Sequence, residues 1–156
     1  MLRLLVAMVT SLALVALLLP GRAENKGQTA ESKELERFSG TWQAISIVTD
    51  GKEAPREEVQ RVKLFVNGPE YALRMGDESI EGTHKLDPTS TPKVIDAVRK
   101  SGPDKGKKLQ GIYELTYDTY RACFAPAGKP RPSKFQSPPG SGYRLFSFER
   151  VKKDPK

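Results

Sequence analysis

Few side chains in this sequence offer reactive chemistry. It holds a single histidine, His84, and a single cysteine, Cys123. The two-residue period of a strand puts His84 on the apolar side of its segment with Ile80 and Leu86. It puts Asp96, on the next segment, on a face with Val94 and Val98. If residues 87–91 close the two segments into a hairpin, His84 and Asp96 become diagonal neighbours. A buried His–Asp pair is a general acid–base device. No serine stands in a Gly-x-Ser-x-Gly elbow to serve as its nucleophile. His84 therefore reads first as a hydrogen-bonded structural residue, no residue is assigned a catalytic role, and the expectation is a protein that is not an enzyme.

One histidine and one cysteine exclude a Cys/His zinc centre, and no cofactor or metal is expected. Cys123 has no second cysteine to pair with. It reads as a small apolar side chain tucked under a loop, with a free thiol or an intermolecular bridge as the alternative.

The elements that must position these residues follow from periodicity. Short alternating runs broken by turn signals mark an all-β domain. Eight strands are expected at 41–48, 61–67, 70–76, 79–86, 92–98, 108–117, 119–124 and 143–150. Asn67-Gly68-Pro69, Met75-Gly76-Asp77, Asp87-Pro88 and Tyr117-Asp118-Thr119 supply the breaks. Residues 34–38 are expected to form one short helical turn.

One face of most strands is apolar. Val62, Leu64 and Val66 share a side, as do Tyr71, Leu73 and Met75. Leu109, Tyr113, Leu115 and Tyr117 line the sixth strand, and Tyr120, Ala122 and Phe124 the seventh. Eight antiparallel strands with one apolar face each bury it by closing into an up-and-down barrel. A two-sheet sandwich satisfies the same alternation.

In a barrel of that order, the loops at 49–60, 77–78, 99–107 and 125–142 share one end. The third carries Arg99, Lys100, Lys105 and Lys107 against Asp104, and the fourth carries Lys129, Arg131 and Lys134 without an acid. A basic rim beside a barrel mouth suits an anionic molecule or an anionic envelope surface, and a merely solubilising set of lysines is the alternative. Tyr71, His84, Asp96 and Tyr113 inside, with Lys105, Lys107 and Arg131 at the rim, are the candidate ligand-binding residues. The segment from Pro126 to Pro139 holds five prolines. It cannot pair as a strand, and reads as a lid, a partner-binding stretch or a stiffened connection.

The N-terminus settles the expected compartment. Arg3 is followed by an apolar run from Leu4 to Leu19, then by Pro20-Gly21-Arg22-Ala23 with small residues where a signal peptidase reads. This almost unbroken run of sixteen residues, interrupted by Thr10 and Ser11, falls short of the ~20 that span a bilayer, so residues 1–23 read as a cleaved signal peptide, with an uncleaved anchor as the alternative. The whole chain carries +7 and the part after residue 23 carries +5. A flexible leader at 24–33, a barrel domain at 34–151 and a basic tail at 152–156 complete the expected organisation. An exported monomer, periplasmic or extracellular, is implied. Its expected partner is a small molecule or an envelope component, with peripheral membrane or cell-wall contact. Nucleic acid is not expected as a partner, because no aromatics interleave with the basic residues in a stacking pattern.

Gly40-Thr41-Trp42 opens the first strand and Arg150 ends the last. This resembles the calycin pattern, in which a Gly-x-Trp tryptophan is covered by an arginine from the last strand. The stretches LERFSGTWQAISIVTDGKEAP, EGTHKLDPTSTPKVIDAV, GPDKGKKLQGIYEL and RACFAPAGKPRPSKF resemble, in order, a lipocalin-like domain family of unknown function abundant in planctomycete bacteria. The resemblance runs from Leu35 to Arg150. It implies an eight-stranded barrel with Gly40, Trp42 and Arg150 as its structural signature, and it implies no activity. Eight rings, those of Trp42, Tyr71, Tyr113, Tyr117, Tyr120, Phe124, Phe146 and Phe148, are candidates to point inward and fill it.

Overall fold

The structure, a computed structural model, describes residues 28–152. The signal segment, the first part of the leader and residues 153–156 of the tail lie outside the described residues.

The chain begins with a helix, α1 (Ala30–Phe38), then β1 (Gly40–Thr49) and a two-residue β2 (Lys52–Glu53). A single helical turn, α2 (Arg56–Gln60), leads to β3 (Val62–Asn67), β4 (Glu70–Met75), β5 (Glu78–Asp87) and β6 (Lys93–Arg99). β7 (Lys108–Leu115), β8 (Thr119–Phe124) and β9 (Arg144–Arg150) complete the chain. β1 and β3–β9 pair antiparallel in sequence order, and β9 returns to pair with β1, so eight strands close into an up-and-down barrel. β2 lies outside the ring as a hairpin extension of β1. Closure leaves no free edge among the eight strands.

Alternation sorts the strands as expected. Val62, Leu64 and Val66 are buried, as are Ile80, His84 and Leu86, and Tyr71, Leu73 and Met75 pack partly buried against them. β1 breaks its own period. A bulge between Ala44 and Ser46 leaves Ile45 half exposed and brings Ile47 back to the side of Trp42 and Ala44.

Three local readings change. The helix starts at Ala30, not at residue 34, because the Thr29 hydroxyl accepts the Ser32 amide at 3.0 Å and caps it. The 49–60 connection carries β2 and α2. Tyr117 falls past the end of β7 and is 79% exposed, so it does not contribute to filling the interior.

Strand direction puts the connections 49–62, 75–78, 99–108 and 124–144 at one end of the barrel. α1 sits at the other end, packed on β5 and β3. Its Glu34 is 4% exposed, meeting Lys93 Nζ at 2.6 Å and Arg37 at 2.9 Å. It also accepts a hydrogen bond from the Tyr113 hydroxyl at 3.2 Å. Glu31 accepts the Leu86 amide. Trp42, fully buried, donates its indole N–H to the Phe38 carbonyl at 2.9 Å. Among the described residues, the helix thus plugs one end, and the interior opens toward the loop-bearing end.

Candidate functional site

Eight strands enclose an interior just wide enough for side chains or one small ligand, so the placement of the rings decides which. Phe38, Trp42, Tyr120 and Phe148 fill the half nearest α1. Phe38 and Tyr120 have centroids 4.4 Å apart, and Tyr120 stacks on Phe148 at 5.6 Å. Above them the barrel holds a cavity of about 180 Å³. Its walls are largely apolar, including Leu64, Leu73, Ile80, Ile95, Phe124 and Phe146. Its mouth is bordered by Arg99, Asp104, Pro126, Gly142 and Arg144, residues of the loop-bearing end.

Two polar side chains sit deep in this apolar space. His84 is 4% exposed and lines the cavity. Its ring packs between Phe38, at 5.2 Å, and Tyr71, nearly parallel at 6.0 Å. Burial pulls its pKa down to about 4, more than a hydrogen bond with the Gly68 backbone restores. The imidazole is therefore neutral at physiological pH. Its Nε2 is buried with no hydrogen-bond partner among the described residues, which leaves a lone pair as an unmet acceptor.

Tyr71 is the second. It faces Gly82 across the β4–β5 pair. A Cβ at Gly82 would lie 2.5 Å from the Tyr71 hydroxyl and 2.4 Å from the Val98 carbonyl oxygen. Only glycine lets the ring lie flat across β5 here. Burial raises the Tyr71 pKa, and the charge of Arg99 pulls the other way. Burial likewise raises that of Tyr120.

Arg99 faces Gly82 from the other side, on β6. It follows Ile95 and Ala97 on the inward face of that strand and is 9% exposed. Its Nη1 donates to the Pro103 carbonyl at 2.8 Å, and the Asp104 carboxylate stands 3.9 Å away. Asp104 is itself held by Lys107 at 3.0 Å, whose hydrogen bond lowers its pKa. The guanidinium is consequently a buried cation with loose compensation, beside a ligand-sized space.

Of the seven candidate ligand residues, Tyr71 and His84 line this cavity together; the other five are elsewhere. Asp96 is not His84's neighbour. His84 faces Ala97 across the β5–β6 pair and Asp96 faces Lys85, so the two side chains leave opposite faces of the sheet. Asp96 lies on the outer wall, bonded to Lys108 Nζ at 2.6 Å and Arg131 Nη2 at 2.7 Å. Partial burial works to raise its pKa, but those two cations outweigh it and hold the carboxyl below its usual range.

Arg131 is likewise outside, donating to the carbonyls of Ile95 and Gly111 as well as to Asp96. Tyr113 is buried at the plugged end, where burial and the Glu34 carboxylate raise its pKa. Lys107 is paired with Asp104 and Lys105 is exposed. Part of the basic rim is thus taken up in ion pairs, Arg99 and Lys107 with Asp104, and Lys108 and Arg131 with Asp96.

The proline-rich segment is neither a lid nor a free stretch. Its ends, near Pro126 and Gly142, border the mouth, and Arg131 straps its middle to β6 and β7. Arg121 donates to the Phe135 carbonyl, and Cys123 Sγ to the Gln136 carbonyl at 3.3 Å. Cys123 is fully buried on the outward side of β8, under this strap.

The sequence places Arg99 in the rim loop, whereas the structure makes it a cavity residue. Parity is the signal that finds it, since Ile95, Ala97 and Arg99 occupy alternate positions. Phe38, in sequence only part of a helical turn, forms part of the floor.

No family model and no solved structure matches the chain. Among curated proteins it is similar to Regulatory protein FlaEY of Caulobacter vibrioides, 34% identical over 70 residues. Those residues are 43% of this chain and 7% of that protein. The chain thus covers a small fraction of that protein's length.

Proposed function

We propose that this chain is an exported, non-enzymatic, lipocalin-like barrel that binds one small apolar or anionic molecule through its loop-bearing end. The observation that carries the reading is the cavity of about 180 Å³ that opens there. An apolar cavity of roughly 150 Å³ accommodates a benzene molecule, so this one suits a single ring with a few substituents, and a long lipid chain exceeds it. Arg99 and Arg144 against Asp104 leave the mouth with a surplus of positive charge, which favours an anion. Separation of His84 from Asp96 removes the acid–base pair on which an enzymatic reading would rest.

A second reading has its own support. The rings of Phe38, Trp42, Tyr120 and Phe148 occupy the plugged half, as they would in a filled barrel serving as a structural or protein-interaction module of the cell envelope.

Native and denaturing mass spectrometry of the chain purified from the exporting cell separates the two. A mass excess present in the native spectrum and absent on denaturation supports the binding reading, and its size gives the ligand class. A bare chain mass that added small aromatic acids leave unchanged supports the filled barrel. The same spectra check removal of residues 1–23.

A further inference from the structure

The cavity holds, at different depths, one acceptor without a donor and one cation whose nearest carboxylate, Asp104, stands 3.9 Å away, and together they specify a ligand. His84 and Arg99 project inward from adjacent strands. Because His84 faces Ala97 and Gly82 faces Arg99, they are offset by two residues along the barrel, about 7 Å. His84 presents a buried, partnerless Nε2 beside the aromatic floor. Arg99 presents a buried guanidinium beside the mouth, with one of its nitrogens committed to the Pro103 carbonyl. Between them the wall is apolar, and Tyr71 lies flat against it over Gly82.

Resting on the small-molecule reading above, we propose that the ligand is a small hydroxylated aromatic acid, bound with its hydroxyl donating to His84 Nε2 and its carboxylate at Arg99. The ring fills the apolar space beside Tyr71. The hydroxyl would meet an acceptor that the fold leaves without a donor, and the carboxylate would give Arg99 a closer counter-ion than Asp104 does. A buried acceptor with no donor is costly, so a hydroxyl reaching Nε2 gains both its own bond and relief of that cost. A carboxylate at Arg99 gains a charge-assisted bond to a guanidinium that is largely shielded from solvent. The offset sets His84 nearer the floor and Arg99 nearer the mouth, the order in which a ring carrying a hydroxyl at one end and a carboxylate at the other would meet them.

The test is binding of four ring compounds of matched size to the full-length exported protein, measured by calorimetry at pH 7. 4-Hydroxybenzoate has both groups, 4-methylbenzoate lacks the donor, 4-hydroxybenzamide lacks the charge, and p-xylene lacks both. 4-Hydroxybenzoate is expected to bind tightest, with each single loss weakening binding about tenfold. In His84→Leu, 4-hydroxybenzoate and 4-methylbenzoate should bind alike, while 4-hydroxybenzamide remains the weaker of the hydroxyl pair. In Arg99→Met, the acid and the amide should bind alike.

If p-xylene binds as tightly as 4-hydroxybenzoate, the cavity reading stands and the assignment of His84 and Arg99 is overturned. Binding by none of the four overturns both. Variants that weaken all four probes equally show a structural role only, and also overturn the assignment. Should either variant fail to fold, the ranking of the four probes on the unaltered protein decides.

Discussion

The Arg150 guanidinium lies 4.0 Å from the centroid of the Trp42 ring, and the two residues are direct partners across the β1–β9 seam that closes the barrel. The same guanidinium donates to the carbonyls of Tyr117, Ser39 and Arg37. It therefore ties the last strand to the first strand, to the β7–β8 turn and to the end of α1 at once. Trp42→Ala is expected to cost about 3–5 kcal/mol, the usual range for a buried aromatic. Arg150→Ala should cost less, on the order of 2 kcal/mol, from the cation–π contact and the bonds to carbonyls that water can partly replace. Urea denaturation of each variant measures both. A Trp42→Ala loss below about 1 kcal/mol would contradict its place at the closed end.

Glu34 makes α1 a plug. Its carboxylate is buried and serves Lys93, Arg37 and the Tyr113 hydroxyl together. Glu34→Ala strands Lys93 and leaves the Tyr113 hydroxyl without an acceptor, with an expected loss of about 3 kcal/mol. Glu34→Gln keeps a carbonyl for Tyr113 and should lose distinctly less. Unfolding followed by Trp42 fluorescence provides the measurement, and equal losses in the two variants would show that the charge carries the whole effect.

His84 makes stability depend on pH. In the fold its pKa is about 4, below the 6.5 of an unburied histidine, so the unfolded chain takes up the proton first. The stability this residue supplies is full above pH 6.5 and drains as pH falls toward 4, by up to about 3 kcal/mol. Denaturation of the protein and of His84→Leu across pH 4–7 should show this slope in the former and a shallower one in the latter. Because the chain has one histidine, the imidazole proton resonances of untagged protein report the titration directly. A midpoint near 6.5 would mean that the ring is hydrated and the cavity wet.

Most of the barrel is legible in the sequence because most strands alternate cleanly and every reversal except Thr116-Tyr117-Asp118 contains Gly or Pro. The Trp42–Arg150 pair is legible only through the resemblance to the calycin pattern, in which an arginine from the last strand covers a Gly-x-Trp tryptophan. Register is not. Alternation places His84 and Asp96 each on a face, but only the pairing of His84 with Ala97 shows that His84's diagonal neighbours are Ile95 and Arg99. The apolar Val94 and Val98 beside Asp96 suggest burial, yet Val98 is 38% exposed on the outer wall. Arg99 hides for a related reason. It begins a run of charges that resembles a loop, while β6 extends one residue further than its hydrophobics. The bulge at Ile45 has no local signal, because no Gly or Pro marks it and Ala44, Ile45, Ile47 and Val48 are all apolar.

The strap over Cys123 can be opened at a single residue. Arg131 makes three bonds at 2.6–2.9 Å to the outer wall, to Gly111, Asp96 and Ile95, and between that anchor and β9 the strap covers the thiol. Burial raises the Cys123 pKa, which lowers its thiolate fraction and adds to its inaccessibility. In the native protein the thiol should react with a disulfide reagent far more slowly than a free cysteine. Arg131→Ala leaves Asp96 paired with Lys108 and the barrel strands intact. Its reaction rate is therefore expected to rise at least tenfold while the urea midpoint falls only modestly. Cys123→Ser should fold as a monomer, with a loss of about 1 kcal/mol for a hydroxyl in place of a buried thiol. Reaction in the unaltered protein as fast as in urea would place the thiol at the surface and detach the strap from the wall.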